Sequence, residues 1–216
     1  MLPTAGSARF AKNCPNCGAP VEFKFAQAVQ TTCPYCQSIL VRTDVDLKKV
    51  GTVADALVDS SPVQIATEGV FDNKPFVVVG RIVYEYELGR WNEWHIVFND
   101  GASGWLSDAQ LDYAVSFQAP EAPPLPPQFV PGAAVQIGQA SYEVGSVTKA
   151  SYVGVQGELP FEYWDKQVCA FVDLRTPPAQ FATIDFSEQP PLLFLGRQVE
   201  YDELRLTNVK QFEGWQ

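Results

Sequence analysis

Two pairs of cysteines, Cys14-Pro15-Asn16-Cys17 and Cys33-Pro34-Tyr35-Cys36, constrain this chain more than any other feature. They form a C-x-x-C, fifteen-residue, C-x-x-C array, the spacing of a zinc site. Two residues between thiolates let one tight turn aim both sulfurs at a single ion, and a second turn completes a tetrahedron. Proline after the first cysteine of each pair pre-sets the turn, and Gly18 stands where a knuckle needs a positive φ. A disulfide or a redox pair would account for one such turn but not for two at this spacing. The array predicts one structural Zn²⁺ held by Cys14, Cys17, Cys33 and Cys36. Four protein sulfurs leave no open coordination position for chemistry. Between the knuckles, Val21-Glu22-Phe23-Lys24-Phe25 alternates apolar and polar, as a half-buried strand would.

Charge marks where this module ends. Residues 1–43 carry +3, whereas the whole 216-residue chain carries −10. Four thiolates around one Zn²⁺ lower the module to about +1, so the basic face that nucleic acid requires is missing. Apolar runs such as Phe76-Val77-Val78-Val79 are far shorter than the roughly 20 residues of a membrane helix, and no membrane insertion is expected. The N-terminus lacks the apolar core of a secretory signal, which with the thiols leads us to expect a cytoplasmic setting.

Beyond the ribbon, Leu47, Val50, Ala54 and Leu57 fall at helical spacing, which predicts a short helix interrupted by Gly51. From Pro62 the pattern is strand and turn. Phe76–Val79 and Ile82–Tyr86 read as a hairpin or as one long strand bent at Gly80; Trp94–Phe98, Gly104–Ser107 and Tyr113–Phe117 follow. Six prolines between Gln118 and Pro131 predict a polyproline II joint. A second strand series follows: 134–137, 141–144, 147–155, 168–174, 181–186 and 199–206. The expected organisation is a zinc ribbon (1–43), a first β unit (44–119), a proline-rich linker (120–131) and a second β unit (132–216). The fold class is mainly β, with two small antiparallel barrels or curled, SH3-like sheets in tandem. The linker reads first as a plain spacer, and the alternative its P-x-x-P spacings offer is docking in an aromatic groove near Tyr84, Tyr86 or Trp91.

Gly80-Arg81-Ile82-Val83-Tyr84-Glu85-Tyr86, Trp91-Asn92-Glu93-Trp94-His95, Asp100-Gly101 and Gly104-Trp105-Leu106 together resemble a bacterial family, domain of unknown function 4178. Gly157-Glu158-Leu159-Pro160, Phe181–Phe186 and Gly196-Arg197 carry the likeness into the second half. The resemblance implies a tandem repeat behind an N-terminal zinc ribbon, a bacterial cytoplasmic setting and an accessory, stress-related role. It implies no established activity.

No coherent catalytic set stands out. His95, the single histidine, falls on the strand face opposite Trp94, Ile96 and Phe98, and is read as solvent-side or structurally bonded. Cys169, in an apolar strand, is read as an inert buried thiol. Glu93 with Asp100, or Asp173 with Asp185, would be candidate carboxylate pairs. Tyr84, Tyr86, Trp91, Glu93, Trp94 and Trp105 combine aromatic faces with an acid and are the ligand-binding candidates. The leading reading is a non-enzymatic zinc-binding tandem β module that docks a protein partner. The alternative is a small-molecule or polycation (polyamine-like) binder, or an enzyme, with an acidic Trp-lined cleft.

Overall fold

The computed structural model describes residues 11–43, 46–53, 61–121, 124–163 and 167–212. Fifteen strands occur among them, with one short 3-10 turn at Tyr201–Leu204. β1 (Ala11–Asn13) and β2 (Pro20–Glu22) pair across the first cysteine turn. β3 (Gln30–Thr32), β4 (Ser38–Arg42) and β5 (Leu47–Thr52) form a second small sheet. The helix expected from Leu47 is therefore a strand as far as Thr52. Pairing with β4 satisfies its backbone, and Gly51 offers a helix nothing. Ala54 and Leu57 lie outside the described residues.

Ten further strands make two consecutive five-stranded meanders. The first is β6 (Glu68–Phe71), β7 (Lys74–Tyr86), β8 (Gly89–Phe98), β9 (Ser103–Ala109) and β10 (Asp112–Gln118). The second is β11 (Ala134–Ile137), β12 (Ala140–Gly157), β13 (Cys169–Thr176), β14 (Gln180–Asp185) and β15 (Leu192–Val199). Phe76 to Tyr86 is thus one long strand, with a register shift against β8 between Val78 and Gly80. The expected strand over 199–206 is corrected. The strand is the apolar run from Leu192, and after Val199 the chain turns so that Leu204 drops into the first core.

The two meanders do not form separate sheets, as the sequence suggested. β10 pairs antiparallel with β15, and the C-terminal half of β7 pairs with that of β12. All ten strands share one hydrogen-bonded sheet, and eight of them close a ring in the order β7, β8, β9, β10, β15, β14, β13, β12. At the seam Gly80 lies opposite Gly157, whose φ is +67°. A Cβ on Gly80 would run into the Glu158 carbonyl, and one on Gly157 into that of Val79.

Because strand side chains alternate, each meander buries two faces. One face of the first holds Phe76, Val78, Trp94, Ile96, Leu106 and Val115. The corresponding face of the second holds Val144, Val172, Leu174, Ala182, Ile184 and Leu193. Leu125 and Phe129 of the proline-rich segment pack on this second core, so the segment docks there and not beside Tyr84 or Trp91. The remaining faces look into the ring, where Ile82, Tyr84, Trp105, Val155 and Phe171 meet Ile39 of the cysteine module.

Candidate functional site

The cysteine turns were fully legible, and the structure brings all four sulfurs together. Their ligand atoms lie within 4.8 Å of one another, with 3.7 Å between the sulfurs of Cys14 and Cys36 and of Cys17 and Cys33. A tetrahedron with metal–sulfur bonds of about 2.3 Å has edges of about 3.8 Å, so the cluster fits one ion. No disulfide joins them. The knuckles are built alike. Gly18 donates to the Cys14 carbonyl and Gln37 to that of Cys33, with Gly18 and Gln37 both at positive φ. Cys36 lies 3.2 Å from the Ser38 hydroxyl, a neighbour that with Asn16 favours its thiolate. An ion held here would act as a structural crosslink.

A second site lies inside the ring, as a cavity of about 400 Å³. That volume is in the range of small-molecule sites. Alternate residues of successive strands line it: Ile82 and Tyr84 from β7, Glu93 from β8, Trp105 and Ser107 from β9, and Ser116 and Gln118 from β10. The second meander adds Phe171, Thr183, Asp185, Leu192 and Phe194. The segment that follows β12 supplies Pro160, Phe161, Glu162 and Tyr163, and Ser187 and Glu188 complete the lining. Among the described lining residues four are acidic and none is Lys or Arg.

Of the sequence candidates, Tyr84, Glu93 and Trp105 line this cavity, while Trp91 and Tyr86 support it. Trp91 stacks on Tyr84 at 4.8 Å and meets Phe171 and Tyr86 edge-on. Trp94 is not part of the group. Its side chain takes the other face of β8 and is buried in the first core beneath the Arg81 guanidinium, 4.7 Å away. Strand parity alone separates it from Trp91 and Trp105. Tyr84 and Tyr163 share a hydroxyl–hydroxyl hydrogen bond of 2.6 Å, and Phe161 stacks on Trp105.

Glu93 is the electrostatic centre. Its carboxyl accepts from Trp91 Nε1 at 3.1 Å and from the Ser107 hydroxyl at 2.8 Å. Burial nevertheless pushes it up to about 8, against those hydrogen bonds, and the charges of Asp173 and Asp185 push the same way. Asp173, itself raised by burial, accepts from Thr183 and Ser146 at 2.9 Å, and Asp185 accepts the Ser187 backbone N–H at 2.7 Å. The structure thus groups Glu93 with Asp173 and Asp185. Asp100 sits at the exposed β8–β9 turn, paired with Lys74 at 2.7 Å.

His95 is on the predicted face, but that face is sealed and not solvent-side. The ring is fully buried against Phe25 and Trp105, its Nδ1 is 2.9 Å from the Glu158 carbonyl, and burial pushes it down to about 4. Cys169 is half-buried beside the central core, less enclosed than its apolar strand suggested. Residues 158–163 were missed as a site element. Their only signal was the Gly157-Glu158-Leu159-Pro160 motif, which carries no periodicity.

Among the described residues, the cysteine cluster is the one group that could hold a metal ion. No described helix is long and apolar enough to cross a membrane. No curated protein and no solved structure matches the chain. A family model does match, over residues 64–201, which starts just before β6 and ends just after β15. With the whole ring inside that match and the cysteine module outside it, the chain belongs to the family described as Domain of unknown function (DUF4178).

Proposed function

We propose that this protein is a non-enzymatic binding module that takes a small organic cation into the interior of the ring, with Zn²⁺ holding its cysteine module together. One observation carries the reading: a cavity walled by Tyr84, Trp105, Phe161, Tyr163, Phe171 and Phe194 holds Glu93, Asp185, Glu162 and Glu188 and, among the described residues, no basic side chain. Aromatic faces attract a desolvated ammonium, and carboxylates accept its N–H bonds. Glu162 and Glu188 are exposed while Asp185 is buried, which suits a ligand with a charge at each end, such as a polyamine-like chain. The equivalent placing of β7 with β12 and of β10 with β15 supports reading the meanders as a tandem repeat. In that reading the cavity lies between the two copies. The cysteine module suits a reducing, cytoplasmic setting in a bacterium.

Protein docking is the second reading. It is favoured by Leu88 and Leu111, exposed at neighbouring hairpin tips that the Gln110–Tyr86 hydrogen bond brings together. Calorimetry separates the two. We expect 1,4-diaminobutane to bind, the isosteric 1,4-butanediol and butanoate not to, and the double variant E93Q/D185N to weaken diamine binding at least about tenfold. Equal binding of the diol, or undiminished binding by the variant, removes the cation reading.

A further inference from the structure

The cysteine module forms no part of the ring, yet it carries one wall of the cavity. The contact runs through residues 158–163. Both carboxylate oxygens of Glu158 are used by the module: the backbone N–H groups of Lys24 and Phe25 donate to them at 2.8 and 2.7 Å. The Leu159 carbonyl accepts from Val29 and Gln30 at 2.9 and 3.2 Å, and the Leu159 N–H donates to the Gln30 carbonyl at 2.9 Å. The Gln30 side chain then grips the next turn. Its Oε1 accepts the Tyr163 N–H at 2.8 Å, and its Nε2 donates to the Tyr163 carbonyl at 3.1 Å. Gln30 and Leu159 are fully buried.

The same short segment faces the ring with Pro160, Phe161, Glu162 and Tyr163. Its contacts with the ring include Phe161 on Trp105, Tyr163 against Tyr152 and Tyr84, the Tyr84–Tyr163 hydroxyl pair and, at its start, the Glu158 N–H on the Val79 carbonyl and the Glu158 carbonyl beside His95 Nδ1. The backbone groups of Leu159 and Tyr163, at the two ends of this stretch, are bonded to the module. The residues that hold it, 24–25 and 29–30, all lie between Cys17 and Cys33, so their positions depend on both knuckles pointing at one ion. A module of about 30 residues has too small a core to keep that geometry without the metal.

We propose that the cysteine cluster gates the cavity: with metal bound, the module holds residues 158–163 closed as a wall, and loss of the metal releases that wall and the ligand behind it. The ligand half of this statement rests on the cation reading above; the wall half does not. Gln30 and Glu158 act as positioning residues, linking the metal to the cavity without touching either.

Amide exchange on the full chain tests the gate directly. Protein carrying one Zn²⁺ per chain by elemental analysis is compared with the same protein after chelation. Expected is an acceleration of at least about tenfold at the Leu159 and Tyr163 amides, with β10 and β15 amides unchanged. The variant Q30A, still carrying one Zn²⁺, should accelerate Tyr163 and leave Leu159, whose partner is the Gln30 backbone, protected. Titration of 1,4-diaminobutane should show weaker binding after chelation. Unchanged exchange at Leu159 and Tyr163 without metal overturns the gate. So does equal acceleration through β10 and β15, which would make the metal a support of the whole fold. Failure of the diamine to bind either form removes the cation reading, and the exchange pattern still decides the gate.

Discussion

Glu93 shows how one side chain ties stability to pH in this fold. It keeps its proton in the folded chain up to about pH 8, whereas the unfolded chain gives that proton up near the ordinary value of 4.5. The folded state binds the extra proton between those values. Its contribution to stability is therefore complete below about pH 4.5, drains away as pH rises to about 8, and then levels off. An ammonium ligand reverses the preference, because it stabilises the ionised carboxylate. In Glu93→Gln the amide stays neutral; its oxygen can accept from Trp91 and its nitrogen can donate to the Ser107 hydroxyl. We expect denaturant unfolding of wild type to lose stability from pH 5 to pH 9 and E93Q to lose less, the difference reaching on the order of 2 kcal/mol at pH 9. The full shift would correspond to more, but water in the open cavity relaxes part of it. Parallel pH profiles would show that the carboxyl is already ionised at neutral pH.

At the scale of elements, the long strands are shaped by where they lack side chains. Gly80 and Gly157 let β7 and β12 pass at the seam with their backbones in contact with Val79 and Glu158. A methyl on Gly80 would press first on the Glu158 backbone and next on the Leu159 side chain, so G80A should cost about 2 kcal/mol or more, as an overpacked site does. Gly145, at the irregularity in β12, is the control: a Cβ there meets ordinary contacts from 3.5 Å outward, and its φ is not positive. G145A should be neutral or gain a few tenths of a kcal/mol through the unfolded chain. Thermal melts of the pair check this, and similar melting temperatures would mean the seam yields. Much at this scale was readable in advance. Cysteine spacing gave the knuckles, and alternation from Val21 to Phe25 gave the buried face of the module, because both are local patterns. The helix expected from Leu47 failed because pairing with β4, which periodicity cannot see, decided that segment. The strand expected after Val199 failed because acidic residues at 202 and 203 follow the true strand in a turn. Within the candidate site, Tyr84, Glu93 and Trp105 were singled out from residue type, and the structure places them on the cavity wall. Trp94 was grouped with them although strand parity separates it, and Asp173, Asp185 and residues 158–163 join only through contacts distant in sequence.

For the whole molecule, the consequence of the ring is that neither meander has two complete edges of its own. β10 reaches β15 about 80 residues away, and β7 reaches β12 across about 70, so no local pattern could have announced the closure. Each meander does have its own apolar core on its outer face, which is why the sequence looks like two units. If one were alone, the strands that now pair across the seams would present unpaired N–H and C=O groups, and the aromatic inner face would be open to water. Two seams, together with Val199 and Leu204 packed in the first core, should therefore hold the halves together without the covalent connection. A protease site introduced after Glu121 tests this, since the proline-rich segment from Pro124 onward is anchored on the second core through Leu125 and Phe129. After cleavage under native conditions we expect a single species on gel filtration at the mass of the intact 23.8 kDa chain, with its strand signal unchanged. Cleavage in denaturant should then release two fragments. Separation into two soluble pieces under native conditions would mean that the seams contribute little, and that the meanders are held together by their connection.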